Sequence, residues 1–119
     1  MPEKSLLATS IVGLTPDPSG TRPAVSALEQ NYPNPFNPTT TIQYGLPETG
    51  WVSLKIYDLR GEEVTILVNS KQEAGWYSVI WDGKDYSGRS VGSGGYFYRL
   101  VAGGNLQTQK MVLMKWTAE

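Results

Sequence analysis

From residue 39 onward the chain alternates. Six runs of apolar and polar residues taking turns follow one another about a dozen residues apart, and no segment carries a helical period. Successive side chains on a strand point to opposite faces, so each run can bury only one face, and that face needs a second sheet to cover it. The runs are TTTIQYGLP, WVSLKIYD, EVTILV (63–68), AGWYSVIWDG, YFYRLVAG and residues 106–115. Between them lie PETG (47–50), DLRG (58–61), a polar loop at 69–75, a Gly- and Ser-rich loop at 82–95 and the turn Gly103-Gly104-Asn105. Gly-Gly and Gly-Asn between alternating runs signal a tight hairpin. The expected fold is all-β: an immunoglobulin-like antiparallel β-sandwich of about seven strands, with the residues at or just before 31–40 as the extra edge strand. The inward faces supply the expected core: Ile42, Tyr44, Val52, Leu54, Ile56, Tyr77, Val79, Trp81, Tyr96, Tyr98 and Leu100. Each large side chain buried contributes about 1.5–3 kcal/mol, which a domain this small needs. The Cys…Trp…Cys pattern of antibody domains is missing, so the expectation concerns architecture alone.

Ahead of these runs stands NYPNPFNPTT (31–40), with three X-Pro steps and three Asn in ten residues. Proline fixes its own φ and disfavours helix in the residue before it, which biases Tyr32, Asn34 and Asn37 towards extended conformations. Asn beside Pro is turn chemistry. A rigid, non-helical strap presenting Tyr32 and Phe36 at set positions is expected. Residues 1–27 read as a linker or the remnant of a preceding region, with PDPSGTRP (16–23) the clearest linker by composition and residues 6–14 a short strand. A secretory signal over 6–14 is disfavoured by polar residues within the apolar run and by Pro16 and Pro18. Residues 28–115 form the domain and 116–119 a tail.

Composition excludes several functions. With no Cys and no His, the chain has no thiol chemistry, disulfides, thiolate or imidazole metal sites, or His-based acid–base catalysis. Its serines lack a base, and the neighbours Glu62 and Glu63 point to opposite sides, so no enzyme is expected. A net charge of -1 gives no electrostatic footprint for nucleic acid. No apolar run reaches the ~20 residues of a spanning helix, and no cofactor is implied. Asp82, Asp85 and Ser87 are a weak calcium candidate: their spacing suits oxygen ligation, but the full EF-hand pattern is absent and Asp-Gly and Ser-Gly are equally turn residues. Trp51, Trp76, Tyr57 and Phe97 fall opposite the expected core. A row of such rings could stack on sugars, with Trp51 and Trp76 as the stacking pair, or could be cross-strand packing.

LEQNYPNPFNPTTTIQYGLP, VSLKIYDLRGEEV, AGWYSVIWDGKDYSGRSVGSGGYFYRL and QTQKMVLMK, in that order, closely resemble the type A C-terminal sorting domain of the type IX secretion system. The immunoglobulin-like module of flagellar hook-capping proteins shares the strand and WDG…SG pattern, but not usually the strap and the basic final strand together. The resemblance implies a non-catalytic targeting domain at the end of exported cargo in Bacteroidetes-like bacteria. It docks on an outer-membrane translocon, and a sortase-like peptidase removes it and anchors the cargo to the surface. Localisation would be periplasmic in transit, then at the cell surface or extracellular. Asn31, Tyr32, Pro33, Asn34, Pro35, Phe36, Asn37 and Pro38 match the leading motif. Gly94, Tyr96, Phe97 and Tyr98 match the penultimate strand, and Lys110, Met111, Leu113 and Lys115 the closing one. Cleavage would fall ahead of the strap. The chain departs from the pattern in continuing four residues past Lys115 and in carrying no cargo domain.

Two further expectations follow. The last hairpin, Tyr96 to Lys115, is the expected docking element, its edge strand with two Lys and exposed backbone pairing with a receptor strand or a second copy. The alternative function is a carbohydrate-binding or adhesive accessory module, with Trp51 and Trp76 exposed on one face.

Overall fold

A computed structural model of the protein describes residues 15–16 and 22–115. The strand expected at residues 6–14, most of the linker at 16–23 and the tail at 116–119 lie outside the described residues.

Eight antiparallel strands build two four-stranded sheets, and no helix occurs among the described residues. In chain order they are β1 (Thr15–Pro16), β2 (Ala27–Leu28), β3 (Thr40–Leu46), β4 (Gly50–Asp58), β5 (Glu63–Gln72), β6 (Gly75–Trp81), β7 (Gly94–Ala102) and β8 (Asn105–Leu113). One sheet runs β1-β6-β3-β2 and the other β5-β4-β7-β8. The six expected runs are the six long strands, and the edge strand before the strap is β2. Every residue expected in the core is buried, because alternation along each run turns those side chains to the space between the sheets. Leu28, Phe36, Leu46, Val68, Ala102, Met111 and Leu113 join them.

β5 departs from expectation. It runs on to Gln72 through residues read as a polar loop, and its pairing with β4 slips twice, leaving Leu67 and Val64 as extra residues. Bulges of this kind bend and twist an edge strand and break its alternation, which is why EVTILV shows no clean buried face. The extension places Gln72 in the core, where its side-chain oxygen accepts the Tyr44 hydroxyl at 2.6 Å. A buried amide needs such a partner.

The hairpin between β7 and β8 turns on Gly103 and Gly104, with φ of 57° and 82°. Left-handed backbone at both turn positions matches the twist of the flanking strands and favours Gly. It fixes the register at Ala102↔Asn105 and carries through to Gly94↔Leu113.

Candidate recognition surface

The strap closes one side of the sandwich. It begins at the β2 edge of one sheet and lies along the outer edge of β8 in the other. Tyr32 and Thr41 exchange both backbone hydrogen bonds at 3.0 Å, which ties the strap to β3. Phe36 N–H donates to Val112 O at 3.0 Å and Met114 N–H to Phe36 O at 2.9 Å, a short parallel pairing with β8. Val112 N–H donates to the Asn34 side-chain oxygen at 2.9 Å, and Gln30 Nε2 donates to Lys110 O at 2.8 Å. All three X-Pro bonds of the strap are cis.

Asn31 is its buried anchor. Its backbone N–H donates to the Tyr98 hydroxyl at 2.7 Å, and that hydroxyl donates to Glu29 O at 2.6 Å. Its side-chain Nδ2 donates to Thr40 Oγ1 at 2.9 Å and Pro33 O at 3.1 Å, and Gln30 Nε2 donates to its Oδ1 at 2.7 Å. Burial pushes the Tyr98 hydroxyl up to about 12, an effect the Asn31 N–H opposes and the Glu29 charge adds to. Tyr98 therefore holds the strap as a neutral hydroxyl, donor and acceptor at once.

Three of the four stretches carrying the resemblance meet at one end of the core. Phe36, 2% exposed, lies against Trp81 with ring centroids 5.7 Å apart, and Tyr96 meets the other side of Trp81 edge-on at 5.5 Å. Gly83 follows with its Cα so close to Pro38 O that a Cβ would stand 3.0 Å from it, and Leu113 closes the same corner. The motif residues thus divide into two sets. Asn31, Phe36, Tyr96, Tyr98, Met111 and Leu113 are buried and hold the fold. Tyr32, Pro33, Asn34, Pro35, Asn37, Pro38, Gly94, Lys110 and Lys115 are exposed and Phe97 is half-buried. Tyr32 is 80% exposed, so of the two rings expected to be presented at set positions only Tyr32 is presented: it faces solvent, and Phe36 fills the core.

Three more expectations change. β8 is not open along its length: from Lys110 onward its outward backbone groups are taken by Gln30, Asn34 and Phe36. Nearer the turn, Gln107 and Gln109 donate to Ser26 O and Leu28 O at 2.9 and 3.0 Å and knit β8 to β2. Lys115 is likewise engaged, its Nζ donating to Val91 O at 3.0 Å and its N–H to Ser93 Oγ at 2.9 Å. Trp51 and Trp76 project from β4 and β6, strands of different sheets, and so lie on opposite outer faces where they cannot form one stacking platform. Trp51 is 62% exposed and donates its indole N–H to the Asn69 side chain, whereas the half-buried Trp76 covers Gly45. In the calcium candidate, Asp85 Oδ1 accepts from Ser87 Oγ, Ser87 N–H and Arg89 N–H, and Asp82 Oδ1 from Lys84 N–H. The Ser87 and Arg89 bonds hold the Asp85 carboxyl below its usual range. These are turn caps, and among the described residues no group of three or more His, Cys, Asp or Glu is placed to hold a metal ion.

Two facing antiparallel sheets with these crossovers define an immunoglobulin-like β-sandwich domain. The FlgD Ig-like domain family matches residues 37–105, more than half of the 119 residues, and the chain belongs to that family. The match covers neither residues 31–36 nor most of β8. No curated protein matches the chain. Among solved structures, dimeric latent PorU from Porphyromonas gingivalis is similar at a TM-score of 0.61 and 23% identity, over 82% of this chain and 10% of that one. PorZ of the same bacterium, described as an essential surface component of the type-IX secretion system, is similar at a TM-score of 0.51 and 20% identity over 83% of this chain and 13% of its own. FlgD from P. aeruginosa is 28% identical over 62% of this chain and 58% of its own, with a TM-score of 0.48. The chain thus spans only a small fraction of the PorU and PorZ chains, and the likeness to them is one of fold.

Proposed function

We propose that the domain is a non-catalytic C-terminal sorting signal that directs attached cargo through a type IX secretion translocon to the cell surface. The observation behind this reading is that the strap and the closing strand, 78 residues apart at Asn34 and Val112, are bonded into one unit. That unit presents Tyr32, Pro33, Asn34 and Pro35 on the edge that Lys110 shares. The family match ends short of both pieces. A strap pinned at both edges holds an exposed aromatic ring at little further entropic cost, which suits recognition by a receptor. Recognition by free β8 backbone is confined to the stretch before Lys110. A translocon and a sortase-like peptidase are the implied partners, and the cargo joins upstream. The absence of His and Cys from the sequence supports a ligand and substrate rather than a catalyst.

The test is export of a periplasmic reporter fused ahead of residues 28–119 in a bacterium with type IX machinery, beside a version ending at Lys115. Surface display that depends on an intact translocon, and is lost in Tyr32→Ala with Lys110→Ala while the domain stays folded, is expected. A folded reporter retained in the periplasm by both versions would overturn the reading.

A further inference from the structure

The two outer faces of the sandwich differ in charge. On β3 and β6 the outward residues are Thr41, Gln43, Gly45, Trp76, Ser78 and Ile80, none of them charged. The outer face of β5-β4-β7-β8 is basic, and its register sets the side chains in rows. Level with the β7–β8 turn, Lys71 stands opposite Trp51, and Val101 pairs with Leu106 in the next row. Lys55 and Arg99 face each other in the row after that, and Lys110 stands opposite Phe97 beyond them. Among the described residues of these rows the one acid is Glu63, opposite Tyr57. Four cations and one acid leave +3 on this face, in a chain whose total is -1.

The fold uses little of that charge. Glu63 meets Lys55 at 3.4 Å, and Arg99 lies over the Tyr57 ring at 4.9 Å. Among the described residues Lys71, Arg99 and Lys110 form no salt bridge. Lys55 directly opposite Arg99 is a like-charge pairing that costs stability. An anionic partner would relieve it, and the rest of the face says of what kind. Trp51, Leu106 and Val101 are 62%, 60% and 40% exposed and border the cations. A soluble polyanion has no use for such apolar residues. Protein interfaces favour Arg and are poor in Lys, whereas three of these four cations are Lys, hydrated point charges suited to a diffuse anionic surface. A stacking row for sugars is missing, since the next ring along β4 is Tyr57, three rows from Trp51 and covered by Arg99.

We infer that this face docks on an anionic lipid bilayer. Trp51, Val101 and Leu106 enter the headgroup boundary, where indole is favoured, and the four cations lie against the anionic headgroups, each adding to the attraction. Such docking does not require the sorting role proposed above. Lys110 borders the strap edge as well, so the test leaves it unaltered and the two readings can fail separately.

Co-sedimentation of the full chain with lipid vesicles is the experiment. Phosphatidylcholine vesicles with about 30% phosphatidylglycerol should bind the chain at about 0.1 M salt and release it at about 0.5 M, where screening is short-ranged. Vesicles of phosphatidylcholine alone should not bind it. Lys71→Gln and Arg99→Gln should each weaken binding about fivefold. Leu106→Ser should weaken it by about fivefold or more. Ile80→Ser, at an exposed apolar position on the uncharged face, should leave it unchanged. All four positions are on the surface, and thermal unfolding checks that each variant is folded. Binding should also shift tryptophan emission to the blue, and Trp51→Phe should abolish the shift. Equal binding to both kinds of vesicle, binding to neither, or an Ile80→Ser loss matching that of Leu106→Ser would overturn the assignment. So would polyglutamate binding as tightly as the vesicles with Leu106→Ser without effect, since the partner would then be a soluble acidic chain.

Discussion

Tyr98→Phe removes one oxygen, yet it should loosen the strap and weaken the whole domain. The hydroxyl accepts the Asn31 N–H at 2.7 Å and donates to Glu29 O at 2.6 Å. Asn31 is 2% exposed, so its N–H cannot turn to water, and an orphaned buried donor costs about 1–3 kcal/mol. Glu29 is an exposed residue and its bond to Tyr98 is only part-buried, so losing that bond costs nearer 0.5–1.5 kcal/mol by the same scale, roughly. The ring stays, so no cavity of consequence opens. Together the loss is about 2–4 kcal/mol, or roughly 10–25 °C in Tm for a domain of this size. Thermal and urea unfolding measure it, with Tyr86→Phe, whose ring is largely exposed, as the neutral comparison. Hydrogen exchange locates it: the Val112 and Met114 amides, bonded to Asn34 and Phe36, should lose protection before β4 does. A loss below about 0.5 kcal/mol, or unchanged protection at Val112 and Met114, would refute the view that Tyr98 anchors the strap.

Phe36→Ala should cost about 3–5 kcal/mol because it empties the corner against Trp81, whereas Tyr32→Ala should fall within about 0.5 kcal/mol; chemical unfolding of the pair checks the division of the motif into core and surface. Gly45→Ala should cost about 1–3 kcal/mol, since the new Cβ would stand 2.8 Å from both the Trp76 ring and Pro23, and a shift in Trp76 fluorescence should accompany it. Stability should hold below pH 10, where Tyr is neutral in folded and unfolded chains alike, and fall as pH rises to about 12. Folding keeps Tyr98 protonated there while the unfolded chain ionises, and burial raises Tyr44, Tyr77 and Tyr96 in the same direction. An alkaline titration followed by circular dichroism reads this, and stability flat through pH 12 would count against it.

Much of the molecule was legible from local pattern. Alternation named six strands and the whole expected core, because a period of two is a property of neighbouring residues and survives without knowledge of what they pack against. β5 was less legible. Its two bulges are defined by pairing with β4, and Asn69–Gln72, polar in composition, belongs to the strand because it pairs in register with Gly50–Ser53 of β4, which brings Gln72 to the Tyr44 hydroxyl. The motif residues could be named but not sorted, since nothing in NYPNPFNPTT tells which of its two rings faces solvent.

The sequence by itself determined that this chain is an antiparallel sandwich with a Pro-rich strap before its first long strand and without His or Cys. Tertiary structure alone decided what the strap does. Its anchor Tyr98 lies 67 residues away and its pairing strand 78 residues away, and contacts at such separations depend on how two sheets stack. The same stacking covered the far part of an edge that looked free, from Lys110 onward, and parted two indoles that looked paired.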